Sequence, residues 1–217
     1  MADTPVPCLY QETRLNLDSA TSAVPLPTHS ASTSVSRPPP EPTIEAEDEF
    51  ARRYLATEAS IHFRRKNKYP RSFLWRILNE RRLLELQSVD LIQDRYNKGE
   101  AVLTLALNFP HPIQPFGIAF ADPEQRDALN VFVLTIANEL YTLTIHKDFF
   151  VRPSAVEPGV GNWCKIFAPS AFSFRFPYRL VATSAHELVL SLHDGGLLRL
   201  TRKPGDDGKA IVCLCRV

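Results

Sequence analysis

The chain has 217 residues, 44% of them hydrophobic, which is enough to build a packed core in one or two domains. Its 25 Lys and Arg residues nearly cancel its 24 Asp and Glu residues, so a global polyanion-binding charge is excluded. No run of about 18 apolar residues occurs, which excludes a transmembrane helix. The four cysteines, Cys8, Cys164, Cys213 and Cys215, come without a secretory leader, so a reducing compartment is expected rather than a disulfide framework.

In chain order, residues 1–17 form an N-terminal segment in which Leu9, Leu15 and Leu17 stand among polar residues, a pattern that suits a short strand docked on a later sheet. Eight of the 18 prolines fall before residue 43, and residues 18–43 are rich in Ser, Thr, Pro and Ala. Such a segment buries too little apolar surface to offset its ordering entropy, so a disordered linker is expected there. From residue 44 the pattern becomes that of a folded domain, expected to run to residue 209. Glu45, Glu47, Asp48 and Glu49 ahead of Arg52 and Arg53 suit a short helix. Ser60 to Arg64 alternates polar and apolar, as a half-buried strand does.

The remainder reads as strand, turn, strand. Phe73–Leu78 and Leu83–Leu91 flank a polar turn at Asn79–Arg82, Ala101–Phe109 is closed by Pro110, and Phe116–Phe120 is short and apolar. Leu129–Ile136 and Glu139–Ile145 flank Ala137-Asn138. Tyr178–Thr183, Glu187–Leu192 and Leu197–Arg202 form a meander whose last turn holds Asp194-Gly195-Gly196, where glycine supplies the positive φ of a tight hairpin.

These hairpins are copies of one another. Leu83-Leu84-Glu85-Leu86, Leu140-Tyr141-Thr142-Leu143 and Leu197-Leu198-Arg199-Leu200 begin at residues 83, 140 and 197, an interval of 57 residues each time. A self-similar all-β unit of roughly 40–60 residues is the signature of a propeller blade, a small sheet that must stack on its neighbours to bury its faces. The fold class expected is all-β, a partial β-propeller of about three blades behind a disordered Pro/Ser-rich segment. A single β-sandwich with similar-looking hairpins is the alternative. The apolar residues 210–217 form an atypical tail, which suggests a shortened gene product.

No catalytic signature is present. P-loop, dinucleotide-binding and nucleophile-elbow motifs are missing, and Cys213-x-Cys215 lacks the spacing and second ligand pair of a zinc site. His193-Asp194 lies at a hairpin tip, where turn chemistry accounts for the aspartate. No catalytic residue, metal site, cofactor or small-molecule substrate is therefore expected. One local feature stands out. Between Arg52 and Arg82 lie ten basic residues and two acidic ones. Arg64, Arg65, Lys66, Lys68 and Arg71 form the candidate interaction patch for an acidic partner. The plainer reading is a solvated strand edge whose charge blocks edge-to-edge pairing.

The segments YPRSFLWR from Tyr69, IAFAD from Ile118 and SLHDGGLLRLTR from Ser191 resemble, in that order, the N-terminal region of fungal members of the nucleoporin one-twenty/one-sixty family. The resemblance covers about Glu49 to Asp207, with the segment at Leu9–Leu17 as a further part. It implies a seven-bladed propeller leading into a helical solenoid, and a structural role in the Y-shaped subcomplex of the nuclear pore. By the same resemblance the partners are other nucleoporins of that subcomplex, the place is the nuclear envelope, and direct nucleic-acid binding is not expected. The competing expectation, from residues alone, is a cytosolic interaction module that binds an acidic partner through its basic stretch.

Overall fold

In a computed structural model, the described residues are 21–28, 55–64, 72–89, 103–123, 127–152, 156, 159–167 and 177–201. They form twelve strands in three sheets. The first sheet holds β1 (Thr21–Pro25), β2 (Glu58–Phe63), β3 (Ser72–Leu78), β4 (Leu83–Val89) and β5 (Thr104–Asn108), in spatial order β1-β5-β4-β3-β2. The second holds β6 (Ile113–Ala121), β7 (Ala128–Thr135), β8 (Leu140–His146) and β9 (Cys164–Phe167), in that order. The third is the meander β10 (Pro177–Ser184), β11 (Glu187–Leu192) and β12 (Leu197–Thr201). Consecutive antiparallel strands in small stacked sheets are the construction of a partial β-propeller.

The 57-residue interval has a direct structural meaning. Leu83, Leu140 and Leu197 are the first residues of β4, β8 and β12, the third antiparallel strand of each sheet. Side chains alternate across a strand, so the next residues at the same interval, Leu84, Tyr141 and Leu198, share one face. Leu86, Leu143 and Leu200 lie two residues on and share it too. In the first two sheets these four positions are fully buried.

Two apolar cores separate the three sheets. The first is built from Phe73, Ile77, Leu84, Leu86 and Leu105 of sheet one against Leu129, Val131, Tyr141 and Leu143 of sheet two. The second is smaller and sets Phe132, Leu134 and Leu140 against Leu180, Leu188, Leu190 and Leu200. β7 lies between both cores, and every one of its eight residues is buried. Its run Ala-Leu-Asn-Val-Phe-Val-Leu-Thr therefore reads as nearly continuous apolar sequence instead of alternation.

β6 runs longer than the expected Phe116–Phe120. Its register with β7 jumps between Ile113 and Ile118, and Phe116 takes a φ of +55° within the jump. A Cβ on Gly117 would stand 2.7 Å from the Gln114 carbonyl oxygen and 2.8 Å from that of Leu134, so only glycine permits this backbone approach.

The linker expected to be disordered over 18–43 contains an ordered strand. β1 pairs in parallel with β5 from Thr21↔Thr104 to Pro25↔Asn108. The physical reason is local: Val24 and Leu26 alternate correctly to enter the first core, and a strand at a sheet edge tolerates Pro25. Average composition over 26 residues hides that short alternation. β9 is a second addition, a four-residue strand too short to register in the sequence. The expected segment at 9–17, the helix near residue 50 and the tail at 210–217 lie outside the described residues, apart from Leu55, which is exposed.

Candidate interaction surfaces

The candidate basic patch is not a surface at its first residue. Arg64 follows β2 directly and is only 8% exposed. Its Nε donates to Asp122 Oδ1 at 2.7 Å and its Nη2 donates to the Ala128 carbonyl at 2.8 Å. The guanidinium also lies over the Phe73 ring, 5.7 Å from its centroid. Asp122 directly follows β6 and Ala128 opens β7, so Arg64 joins sheet one to sheet two. An Arg placed in an interior must be paired to offset its desolvation, and this one is held on both sides. The expectation that Arg64 presents charge to an acidic partner is thus corrected. Arg65, Lys66, Lys68 and Arg71 lie outside the described residues.

Further along the run the same pattern holds. Arg76 pairs with Glu85 across the β3–β4 ladder. Arg81 stands in the β3–β4 turn, where Asn79, Glu80 and Arg81 take φ values of 48°, 51° and 66°. Each left-handed non-glycine residue costs on the order of 1 kcal/mol. The compensation is visible in Arg81. Its Nη2 donates to Glu58 Oε2 at 2.7 Å and its Nε to the Ile113 carbonyl at 2.7 Å, while the Ile113 N–H donates to the Arg81 carbonyl, also at 2.7 Å. The strained turn of sheet one is in this way fastened to the start of sheet two.

Beside that junction lies an aromatic group on the rim. Phe116, 49% exposed, stands 5.8 Å from Tyr178, and Tyr178 stands 4.9 Å edge-on to His193. Gln114 Nε2 donates to the Pro177 carbonyl at 3.2 Å and joins sheet two to sheet three at the same place. No local sequence pattern marks this group, since the three aromatic residues come from three separate strands and turns.

The reactive side chains are arranged for structure. Among the described residues no group of three or more His, Cys, Asp or Glu could hold a metal ion. Burial pushes the Cys164 thiol up to about 12, so it stays protonated and unreactive. Burial also holds His62 below the usual imidazole range, with the Asp122 carboxylate opposing and Arg64 reinforcing the shift. The His62 ring stacks on Phe120 at 5.0 Å. Asp194 Oδ1 accepts the Gly196 N–H at 2.9 Å, which engages it in its own turn. Cys213 and Cys215 lie outside the described residues. Among the described residues no helix is long and apolar enough to cross a membrane.

Comparison with known proteins agrees with this picture of a structural sheet stack. The family model described as "Nucleoporin Nup120/160, beta-propeller domain" matches residues 71–212. The chain is 36% identical over 204 residues to nucleoporin NUP120 of Chaetomium thermophilum, an alignment that covers 89% of the chain and 16% of that relative. It is 25% identical over 157 residues to nucleoporin nup120 of Schizosaccharomyces pombe, covering 72% of the chain and 13% of the relative. The chain therefore spans less than a fifth of the length of these relatives. The matched residues take in the three sheets from the start of β3 to the end of β12, and the chain belongs to the Nup120/160 nucleoporin family through its β-propeller domain.

Proposed function

We propose that this chain supplies propeller blades to a scaffold of the nuclear pore, where it assembles with other nucleoporins of the Y-shaped subcomplex and supports nucleocytoplasmic transport at the nuclear envelope. The observation that carries this reading is the family match over 71–212, which takes in β3 to β12 of the stacked sheets. The family is a structural one, and the ionisable groups described above are engaged in packing and turns, as a scaffold requires. The competing reading, an acidic-partner module, loses Arg64 from its patch. The test is to tag the endogenous gene product and follow its position and its co-purifying proteins. Enrichment at the nuclear rim together with other Y-subcomplex nucleoporins is the expected result. A product that stays diffuse in the cytosol and recovers no nucleoporin overturns the proposal.

A further inference from the structure

Residues 21–28 make two kinds of contact that together resemble a bound peptide. Along β1, the backbone adds a parallel strand to the outer edge of β5 over five register pairs, and the Leu26 N–H continues the pattern to the Asn108 carbonyl at 2.9 Å. Val24 and Leu26 enter the first core. The chain then leaves sheet one and reaches a polar notch on sheet two. There the Thr28 hydroxyl donates to Glu139 Oε1 at 2.9 Å. The Tyr141 hydroxyl lies 2.9 Å from the Pro27 carbonyl and 3.1 Å from Glu139 Oε2, and its single proton is shared between those two acceptors.

The notch is built independently of the peptide. Glu139 is 3% exposed. Its backbone N–H donates to the Thr135 hydroxyl at 3.3 Å, and its carbonyl accepts the Thr135 N–H at 3.0 Å. Burial, together with the neighbouring Glu139 charge, holds the Tyr141 phenol protonated and therefore a donor. The β7–β8 hairpin supplies these contacts, and Phe109 packs edge-on against the Tyr141 ring at 5.0 Å. Toward the segment the hairpin presents an acidic acceptor and a phenolic donor, which meet a backbone carbonyl followed by a hydroxyl. An exposed sheet edge beside two apolar positions is how extended peptides are captured by strand addition. β1 is the only parallel strand among the described residues, and it is separated from β2 by residues 26–57.

We propose that the β5 edge and the Glu139–Tyr141 notch together form a peptide-binding site for an extended segment of the pattern apolar, Pro, apolar, Pro, Thr, filled in cis by residues 24–28. The segment is thus a detachable ligand of the sheet stack rather than an integral strand of its first blade. A second molecule presenting the same residues is a competent occupant once the cis segment is released.

Two measurements on the full chain test this. The first is hydrogen exchange. In the wild type, the amides of Ser22, Ala23, Val24 and Leu26 are expected to exchange at least about 10-fold faster than those of β4 and β7, by a local opening. Glu139→Ala is expected to accelerate them further while leaving β4 and β7 unchanged, and Glu139→Gln, which keeps an acceptor, to restore most of the protection. Exchange of residues 22–26 in step with β4, or equal acceleration of all three sheets by Glu139→Ala, overturns the proposal. The second uses a labelled synthetic peptide of residues 21–28. The double variant Val24→Asp/Leu26→Asp, whose own segment no longer fits, is expected to bind it, and the wild-type chain to exclude it. A peptide with Thr28→Val is expected to bind about 10-fold more weakly. No binding by a double variant that retains wild-type protection in β4 and β7 overturns the proposal, as does equal binding by wild type and variant. If the double variant loses that protection, the exchange measurement on the wild type decides.

Discussion

Arg64 shows how far a charged residue's role depends on what the chain folds against it. In sequence it is the first of a basic cluster, and its partner Asp122 lies 58 residues away. In the structure the pair is dry, with side-chain exposures of 1% and 5%. Removing one member takes this buried contact from the other charge, so Arg64→Ala is expected to destabilise the chain by about 3–5 kcal/mol. The double variant Arg64→Met/Asp122→Leu, of similar volume, is expected to recover most of that loss. Urea unfolding of the three chains checks both statements, and a single variant as stable as wild type would show that the pair is solvated. His62 gives a pH prediction from the same region. Its folded-state pKa is lowered, chiefly by burial, so the unfolded chain binds a proton more readily than the folded one. The stability it contributes is complete above the unfolded value near 6.5 and declines as pH falls below it. The urea midpoint is expected to fall between pH 7.5 and pH 5, with a shallower fall in His62→Leu. None of this was legible in the sequence, because a buried pair between distant segments leaves no local pattern. The hairpin role of Asp194, which depends only on its immediate neighbours, was legible.

For the elements, legibility follows burial geometry. Strands with one face or both in a core carry alternation or apolar runs, and β3, β4, β7, β8 and the third sheet were found near their true bounds. β1 was missed because the surrounding composition outweighs its two inward residues, and β9 because four residues carry too little pattern. The matched positions of the repeat allow a controlled test. Leu84 is fully buried, whereas Leu198 is only partly buried against the second core. Leu84→Ala is expected to cost about 2–5 kcal/mol and Leu198→Ala about 1 kcal/mol, since less area leaves water there. Equal costs would show that the third sheet is as tightly covered as the first. Gly117→Ala is a second test at this scale. The added methyl meets two backbone carbonyls, so it must shift either β6 or the end of β7, and a loss of about 1–3 kcal/mol is expected together with altered exchange at Leu134.

At the scale of the whole molecule, the described sheets follow one another in sequence order, joined through two cores and through polar links that include those at Arg64, Arg81, Gln114 and Glu139. Stability in such a stack is graded, not uniform. β7 lies between both cores, while Leu197 at the start of β12 is 40% exposed and Val181 of β10 is 44% exposed. Amides of β7 are therefore expected to exchange more slowly than those of β11, and hydrogen exchange resolved by segment measures the difference. Equal protection across β7 and β11 would mean that the three sheets open as one unit. The order of the sheets was legible because the 57-residue interval survives differences in loop length. The fastenings between sheets were not, because each is made by side chains from elements that pair with different strands.

The parallel course of β1 has a mechanical consequence. Two strands lying side by side resist a pull along their common axis by shearing, with every rung of the ladder sharing the force at once. A pull across that axis peels the rungs one after another. Tension entering through the segment ahead of Thr21 and directed along β5 therefore meets the ladder of the five-residue register and the Thr28–Glu139 bond in concert, and the load passes directly from the first sheet into the second.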